Sequence, residues 1–425
     1  MNAIRIIFNF INCINLSGEH KMQYEVLKPL IIKNDSKMIY IIMDGLGGLP
    51  REKGGKTELE TAKTPNLDKM TRDGCLGLLD PIGPGMTPGS GPAHLALFGY
   101  DPIADNVGRG ILSALGVDFP VTGKDVCARL NFCTIDDKGN VTDRRAGRIA
   151  TELNNKLCEK IQNSITLSDG IEFFIRTESE HRALLVIRGE QLGGNIKDTD
   201  TQKVGVPSLK AQGADEASRK TTKYVNEFLE KVKDVLKDDT PANFILARGF
   251  AKHEPLMTME ERYGIRCAAI AQYPMYRGLA RLVGMKVLPR PETYETMFVQ
   301  LQENYNQYDF FFIHFKKTDS YGEDGNFEQK VKVIETVDTW LMNLDQLKPD
   351  VILVTGDHST PAIFKSHSWH PVPALLYCNN GLGRRDGTVE FGETACAMGA
   401  LGRMKMRDII LEVLASGGRI QKFGA

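Results

Sequence analysis

Two short segments, far apart in the chain, carry the residue types of a hard-metal site. Ile41-Ile42-Met43-Asp44-Gly45 and Val354-Thr355-Gly356-Asp357-His358 each end an apolar run in an acidic residue beside glycine. Met38 to Met43 and Val351 to Thr355 read as buried strands, being short, continuous and rich in β-branched residues. In an open parallel sheet the C-terminal strand ends form the ligand crevice. Two carboxylates and an imidazole delivered to one sheet edge suit Zn, Mn or Mg, which take Asp oxygen and His nitrogen. The alternative is that each Asp only caps the turn after its strand.

Other residues extend this set. Ser90 lies in Thr87-Pro88-Gly89-Ser90-Gly91-Pro92, just before a helix, where free backbone N–H groups can hold phosphoryl oxygens and metal coordination can activate a hydroxyl. The alternative for Ser90 is an ordinary helix N-cap. Asp319 and Glu323 follow the strand Phe310 to Phe315 and are spaced to face the same way on a helical turn. The alternative for them is a solvated acidic loop. His358, His367 and His370 crowd one short stretch of a chain with only eight histidines. Asp44, Ser90, Asp319, Glu323, Asp357, His358 and His367 together supply enough donors for two metal sites near one serine. A cation pair suits phosphoryl transfer, because it neutralises oxygens and orients in-line attack.

Arginines are the other half of such a site, since guanidinium forks match carboxylate and phosphate oxygens. Arg144, Arg145 and Arg148 form one group, Arg277 and Arg281 another, and His181-Arg182 is a weaker candidate of the same kind. The alternative for each is a surface charge.

The elements that must position these residues alternate between strand and helix in two stretches. Residues 37–118 and 285–425 read as the halves of one parallel α/β core. Residues 119–284 change character, with strand-like runs at Ala128 to Thr134, Ile171 to Arg176 and Ala183 to Arg188 and a long helix from Ala214 to Leu236. This middle reads as an inserted α+β cap. Thr64 is the expected N-cap of a helix opened by Pro65 and stopped by Gly74. Residues 1–36 read as an N-terminal extension without a secretory cleavage signature, with Met22 an alternative start.

Composition excludes several classes. The 53 basic and 54 acidic residues nearly cancel, which argues against a nucleic-acid partner. No apolar run is long enough to span a membrane. The eight cysteines form no C-x-x-C pair, so a reducing cytoplasm is expected. No G-x-x-x-x-G-K-[ST] loop signals a nucleotide.

Four stretches carry a family resemblance: Met43-Asp44-Gly45-Leu46-Gly47-Gly48, Thr61-Ala62-Lys63-Thr64-Pro65-Asn66-Leu67-Asp68, the run from Gly89-Ser90-Gly91-Pro92-Ala93-His94 to Tyr100-Asp101-Pro102, and Gly356-Asp357-His358-Ser359-Thr360-Pro361. In this order the chain, from about Leu27 to its end, resembles the archaeal-type 2,3-bisphosphoglycerate-independent phosphoglycerate mutases of the alkaline phosphatase superfamily. The resemblance implies an α/β fold, with an alkaline-phosphatase-like mostly parallel sheet, helices on both faces and an inserted α+β cap. It implies two divalent metal ions (Mn, Zn, Co or Mg), no 2,3-bisphosphoglycerate, and a serine that is transiently phosphorylated. Carried over by position, Asp44, Ser90, Asp357 and His358 resemble the ligands of one metal, and Asp319 and His367 those of the other. The family usually has a histidine where this chain has Glu323, which shifts the site toward oxygen-loving cations. Arg145, Arg148, Arg277 and Arg281 are the residues the superfamily suggests for the substrate. The expected substrate is a small phosphorylated acid, phosphoglycerate, with self-association left open. The alternatives are a metal-dependent phosphatase or a small-alcohol phosphotransferase of the same superfamily.

Overall fold

The computed structural model describes residues 25–105 and 107–424. Residues 1–24, and with them the alternative start at Met22, lie outside the described residues. The described residues divide into two compact units: 25–105 together with 256–424, and the inserted Val107–Pro255.

The first unit is built on eight strands: β1 (Met38–Met43), β2 (Cys75–Asp80), β8 (Cys267–Ala271), β9 (Lys286–Val287), β10 (Phe310–Phe315), β11 (Val351–Thr355), β12 (Val372–Cys378) and β13 (Gly402–Lys405). Their order is β13-β2-β12-β11-β1-β10-β8-β9. β1 runs parallel to both neighbours, β10 and β11. These strands have no polar face: Met-Ile-Tyr-Ile-Ile-Met, Phe-Phe-Phe-Ile-His-Phe and Val-Ile-Leu-Val-Thr are buried throughout. That is the pattern of a parallel sheet covered on each side. Register aligns the exits, with Met43 opposite Phe315 and Ile42 opposite Thr355. The residues that follow β1, β10 and β11 are therefore delivered to one edge. Beyond β11 the sheet turns antiparallel at β12 and β2, a departure from all-parallel pairing with no distinct signal in the sequence.

The inserted unit holds β3 (Asp125–Ile135), β4 (Val141–Asp143), β5 (Glu172–Ser179), β6 (Arg182–Arg188) and β7 (Phe244–Lys252). All its pairings are antiparallel. The helices Thr151–Ser164 and Glu216–Leu236 contribute Leu157, Ile161, Val225 and Phe228 to its core, against β-strand residues such as Leu130, Phe132 and Leu185. The long helix begins at Asp215, whose carboxylate accepts from the Ser218 amide.

Three sequence expectations are corrected here. The inserted unit is shorter than residues 119–284. β8 pairs with β10 in the larger sheet, so it and the helix Pro274–Leu282 lie in the first unit, and with them Arg277 and Arg281. At the other boundary, the helix Arg109–Gly116 packs on β3 and β7 and lies in the inserted unit. Residues 28–36 are no loose extension: Ile31 bridges Ile420, and the buried Arg419 donates to the carbonyls of Asn34 and Ser36. Thr64 makes no side-chain cap. Asp338, from the helix Phe327–Leu341, accepts from the amides of Asn66 and Leu67 in its place. A carboxylate from a distant element does the capping, which local sequence does not reveal.

Candidate metal centre

Asp44 leaves β1, Asp357 and His358 leave β11, and Lys316 and Asp319 leave β10. Gly45 allows them to meet: its φ is +63°, and a Cβ there would lie 2.5 Å from Thr360 Oγ1 and 2.9 Å from Asp319. The resulting donors form two groups, Asp44–Asp357–His358 and Asp319–His358–His367, each with one ligand atom per residue and all atoms within 4.8 Å of one another.

The two nitrogens of His358 divide between them. Nε2 lies 3.3 Å from Asp44 Oδ1 and 3.2 Å from Asp357 Oδ2. Nδ1 is 3.0 Å from Thr360 Oγ1, which donates to Asp319 Oδ1 at 2.7 Å. The imidazole thus aims Nε2 at the first group while a hydroxyl holds its other nitrogen. His367 stacks on His358 with ring centroids 3.6 Å apart, and its Nε2 is 3.6 Å from Asp319 Oδ1. His367 Nδ1 is 2.9 Å from the Pro88 carbonyl, within the loop that carries Ser90.

Ser90 is not the N-cap. Gly89 occupies that position and Ser90 opens the helix Ser90–Leu97 with no side-chain cap bond. Its Oγ lies 3.3 Å from His358 Nε2, on the first donor group. One turn on, the buried His94 has Nδ1 2.8 Å from the Ser90 carbonyl and 3.2 Å from Asp357 Oδ2.

The electrostatics call for a cation. Burial raises the Asp44 carboxyl well above its ordinary range, and Asp357 adds to this by repulsion. Burial also acts on Asp357, but the imidazoles of His358 and His94 outweigh it and hold that carboxyl well below the usual range. Burial brings His358 down to about 4, so it is neutral at pH 7 with a free lone pair. Both Asp44 oxygens and Asp357 Oδ2 are buried and accept no well-aligned hydrogen bond. Among the described residues Lys316 is the ammonium in direct contact with these carboxylates, with Nζ 3.1 Å from Asp44 Oδ2 and paired to Asp319 Oδ2. Orphaned carboxylate oxygens beside a neutral imidazole fit a divalent cation.

The other predicted residues are placed less uniformly. Glu323 ends its helix at the rim, half-exposed, with Oε1 3.9 Å from His367 Nε2. His370 does not join the cluster; its Nδ1 is 3.1 Å from Ser368 Oγ and its ring stacks on Trp369. Arg277 is buried, and its Nη1 donates to the carbonyls of Ala271 and Leu288, bracing the turn after β8. That part of its fork is not directed at a ligand. Arg281 is exposed on the same helix.

Arg145 and Arg148 line a cleft of about 280 Å³ in the inserted unit, with His181 and Arg182. Arg109, Arg129 and Arg248 join them from the 109–116 helix, β3 and β7. Arg129 pairs with Glu178 and Arg248 lies near Asp198 and Asp200. Arg144 is bound bidentately by Asp200. Glu180 also lines the cleft, but among the described residues Arg109, Arg145 and Arg148 form no ion pair with a carboxylate. The loop between them is wound tightly: Ala146, Gly147 and Arg148 all have positive φ, and Asp143 holds it by accepting from the amides of Arg145 and Gly147. Sequence reading missed Arg109, Arg129 and Arg248 because they are isolated charges that only strand pairing collects. It missed His94, His314 and Lys316 at the metal centre. His314, the one histidine within a buried strand among the described residues, is a signal that was there to find.

Relatives identify the arrangement. A family model described as 2,3-bisphosphoglycerate-independent phosphoglycerate mutase matches residues 71–243. Over 405 residues the chain is 49% identical to a probable 2,3-bisphosphoglycerate-independent phosphoglycerate mutase of Thermus thermophilus, spanning 95% of this chain and 99% of that protein. The chain belongs to this family. A probable mutase of the same description from Thermotoga maritima is 47% identical over 401 residues, covering 94% of this chain and 99% of its own length. Among solved structures, the PH0037 protein of Pyrococcus horikoshii matches with a TM-score of 0.77 at 31% identity, over 92% of this chain and all of that one. The cofactor-independent phosphoglycerate mutase of Thermoplasma acidophilum matches with a TM-score of 0.70 at 29% identity, over 90% of this chain and all of that one. The family's α/β fold is the one expected from the sequence.

Proposed function

We propose that this chain is an isomerase interconverting 3-phosphoglycerate and 2-phosphoglycerate, with Ser90 as the phosphoryl carrier. The observation that carries the reading is the approach of Ser90 Oγ to His358 Nε2 at the edge where Asp44 and Asp357 converge. Two divalent cations, such as Mn, Zn, Co or Mg, would supply charge neutralisation and orientation of the phosphoryl oxygens. Asp44, Asp357, His358 and Ser90 would hold one of them; Asp319 and His367, with Glu323 at the rim, the other.

In the first half-reaction Ser90 Oγ attacks phosphorus. The Oγ–P bond forms, the bond from phosphorus to the 3-oxygen breaks, and the serine proton ends on that oxygen. Glycerate turns and its 2-hydroxyl takes the phosphoryl group back, returning the proton to Ser90. The amides of Ser90 and Gly91 at the start of this helix would be available to the oxygens of the transferred group. No bisphosphorylated cofactor is consumed, because Ser90 itself stores the phosphoryl group between the halves. Water must be kept from the phosphoserine, or the outcome is hydrolysis. The cleft of Arg145 and Arg148, positive and short of carboxylate partners, suits the anionic end of the substrate. The seven described cysteines are all free thiols, which fits the cytoplasm where a glycolytic enzyme works.

The test is an assay on 3-phosphoglycerate without added bisphosphoglycerate, titrated with Mn2+ and coupled to phosphoenolpyruvate formation. Metal-dependent product with no free phosphate is expected. Phosphate released in step with substrate loss would convert the reading to a phosphatase.

A further inference from the structure

Beneath the metal centre lies a buried ion pair that no step above uses. Lys330, on the helix Phe327–Leu341, and Glu58, at the start of the helix Glu58–Thr61, are wholly inaccessible to solvent. Lys330 Nζ and Glu58 Oε1 are 4.0 Å apart. Burial pulls the Lys330 pKa down, opposed by Glu58.

The partners of this pair are unusual in being almost all backbone groups of two loops. The three protons of Lys330 go to the carbonyls of Gly45, Gly47 and Thr360, at 2.9, 3.0 and 2.9 Å. Glu58 takes the amides of Leu49 and Ala362, at 3.1 and 2.7 Å. The cation collects carbonyls and the anion collects amides, and each reaches both the loop after Asp44 and the loop after His358. Thr360 is in turn the hydroxyl that joins His358 Nδ1 to Asp319 Oδ1.

We propose that Lys330 and Glu58 are positioning residues, a two-sided clamp that sets the spacing between the Asp44 loop and the Asp357–His358 loop and thereby the cation affinity of the centre. Buried ion pairs contribute little net stability compared with an apolar filling of the same volume. A pair whose hydrogen bonds span two ligand-bearing loops is placed to hold geometry, and supports of this kind govern metal affinity by 10–100-fold. The inference rests on the reading above that these loops carry cation ligands.

The experiment uses the full chain, stripped with chelator, and its Lys330→Met and Glu58→Gln variants. Mn2+ binding is measured by calorimetry, folding by near-ultraviolet circular dichroism, and thermal unfolding both in EDTA and in saturating Mn2+. The clamp predicts Mn2+ binding weakened roughly 10–100-fold in each folded variant. It also predicts a smaller Mn2+-induced rise in Tm, because stabilisation by a ligand follows its Kd. Should Lys330→Met fail to fold, the near-isosteric Glu58→Gln decides. A folded variant that binds Mn2+ as the wild type does, or loses equal Tm in EDTA and in Mn2+, overturns the clamp and leaves the pair a purely structural element. Wild-type protein that binds no Mn2+ would instead remove the metal-centre reading, and the clamp with it.

Discussion

Ser90 and His358 are 268 positions apart in the chain, yet Ser90 Oγ stands 3.3 Å from His358 Nε2. The contact exists because a helix start and a strand exit open on the same sheet edge, and because Gly89, not Ser90, caps the helix. Ser90 is thereby free to act as a nucleophile. Replacing it with alanine removes one half-buried hydroxyl and no cap bond. The Ser90→Ala variant should keep its stability within about 0.5 kcal/mol. Its kcat/KM should fall at least about 10³-fold, since the proposed phosphoryl carrier is removed. Trapping with labelled substrate should mark wild-type Ser90 and leave the variant unlabelled; a turnover-competent alanine variant would sink the covalent route.

Asp44 separates metal binding from stability. In the metal-free protein its carboxylate is buried, without well-aligned hydrogen bonds, and beside Asp357. Asp44→Asn removes that repulsion at constant volume. The variant should be more stable than wild type in EDTA, by about 1 kcal/mol, and less stable in saturating Mn2+ because the linked binding energy is lost. Thermal unfolding under the two conditions reads both signs; a variant destabilised in both would show that Asp44 supports the metal-free fold.

How much of this was visible in the chain follows from the range of each interaction. The strands of the first unit announce themselves because burial on both sides demands unbroken apolar runs. The carboxylates after β1 and β11 follow, since parallel strands send their exits to one edge. The boundaries of the inserted unit were misplaced because Cys267 to Ala271 pairs with Phe310 to His314, and pairing partners leave no local mark. The same reason hid Asp338 as a helix cap, Lys330 as a loop clamp and three of the cleft arginines. The carbonyl-bracing bonds of Arg277 were not visible either, because a guanidinium that braces carbonyls and one that binds phosphate look alike in sequence.

The arginine loop offers a paired test within five residues. Arg144 is committed to the buried Asp200, so Arg144→Ala leaves that carboxylate only Arg248 at 3.6 Å and the Gln202 amide, and should cost about 2 kcal/mol of stability. Arg148 has no carboxylate partner among the described residues, and Arg148→Ala should leave Tm nearly unchanged. Its KM for 3-phosphoglycerate should rise roughly 10-fold, the loss of one charge-assisted contact. Urea unfolding and steady-state kinetics on both variants check the contrast; an unchanged KM in Arg148→Ala would take the cleft out of substrate recognition.

Glu323 bears on which cation is used. A carboxylate 3.9 Å from His367 Nε2 would, if it turned inward, add an oxygen donor to the second group. Glu323→His would exchange a hard donor for an imidazole, which favours Zn2+ and Co2+ over Mg2+ and Mn2+. The Zn2+-to-Mn2+ affinity ratio, from competition titrations, should rise about 10-fold in the variant. An unchanged ratio would show that Glu323 stays at the rim and binds no metal.

His181 gives a pH signature to the cleft. Burial, reinforced by Arg182, brings its pKa down to about 4 from the ordinary 6.5. The unfolded chain therefore binds this proton at higher pH than the folded one does. Above about pH 6.5 both forms are neutral and the group contributes nothing to the pH dependence. As pH falls from there toward 4, the unfolded state gains the proton first, so stability declines with acidification. His181→Gln should flatten this part of the profile, measured as urea midpoints at pH 7 and pH 5. On the proposed binding in this cleft, phosphoglycerate would place negative charge near the ring and move the titration upward, readable from the His181 Cε1–H resonance with and without substrate. A resonance that titrates near pH 6.5 in the free protein would show that His181 is not buried beside Arg182 in solution.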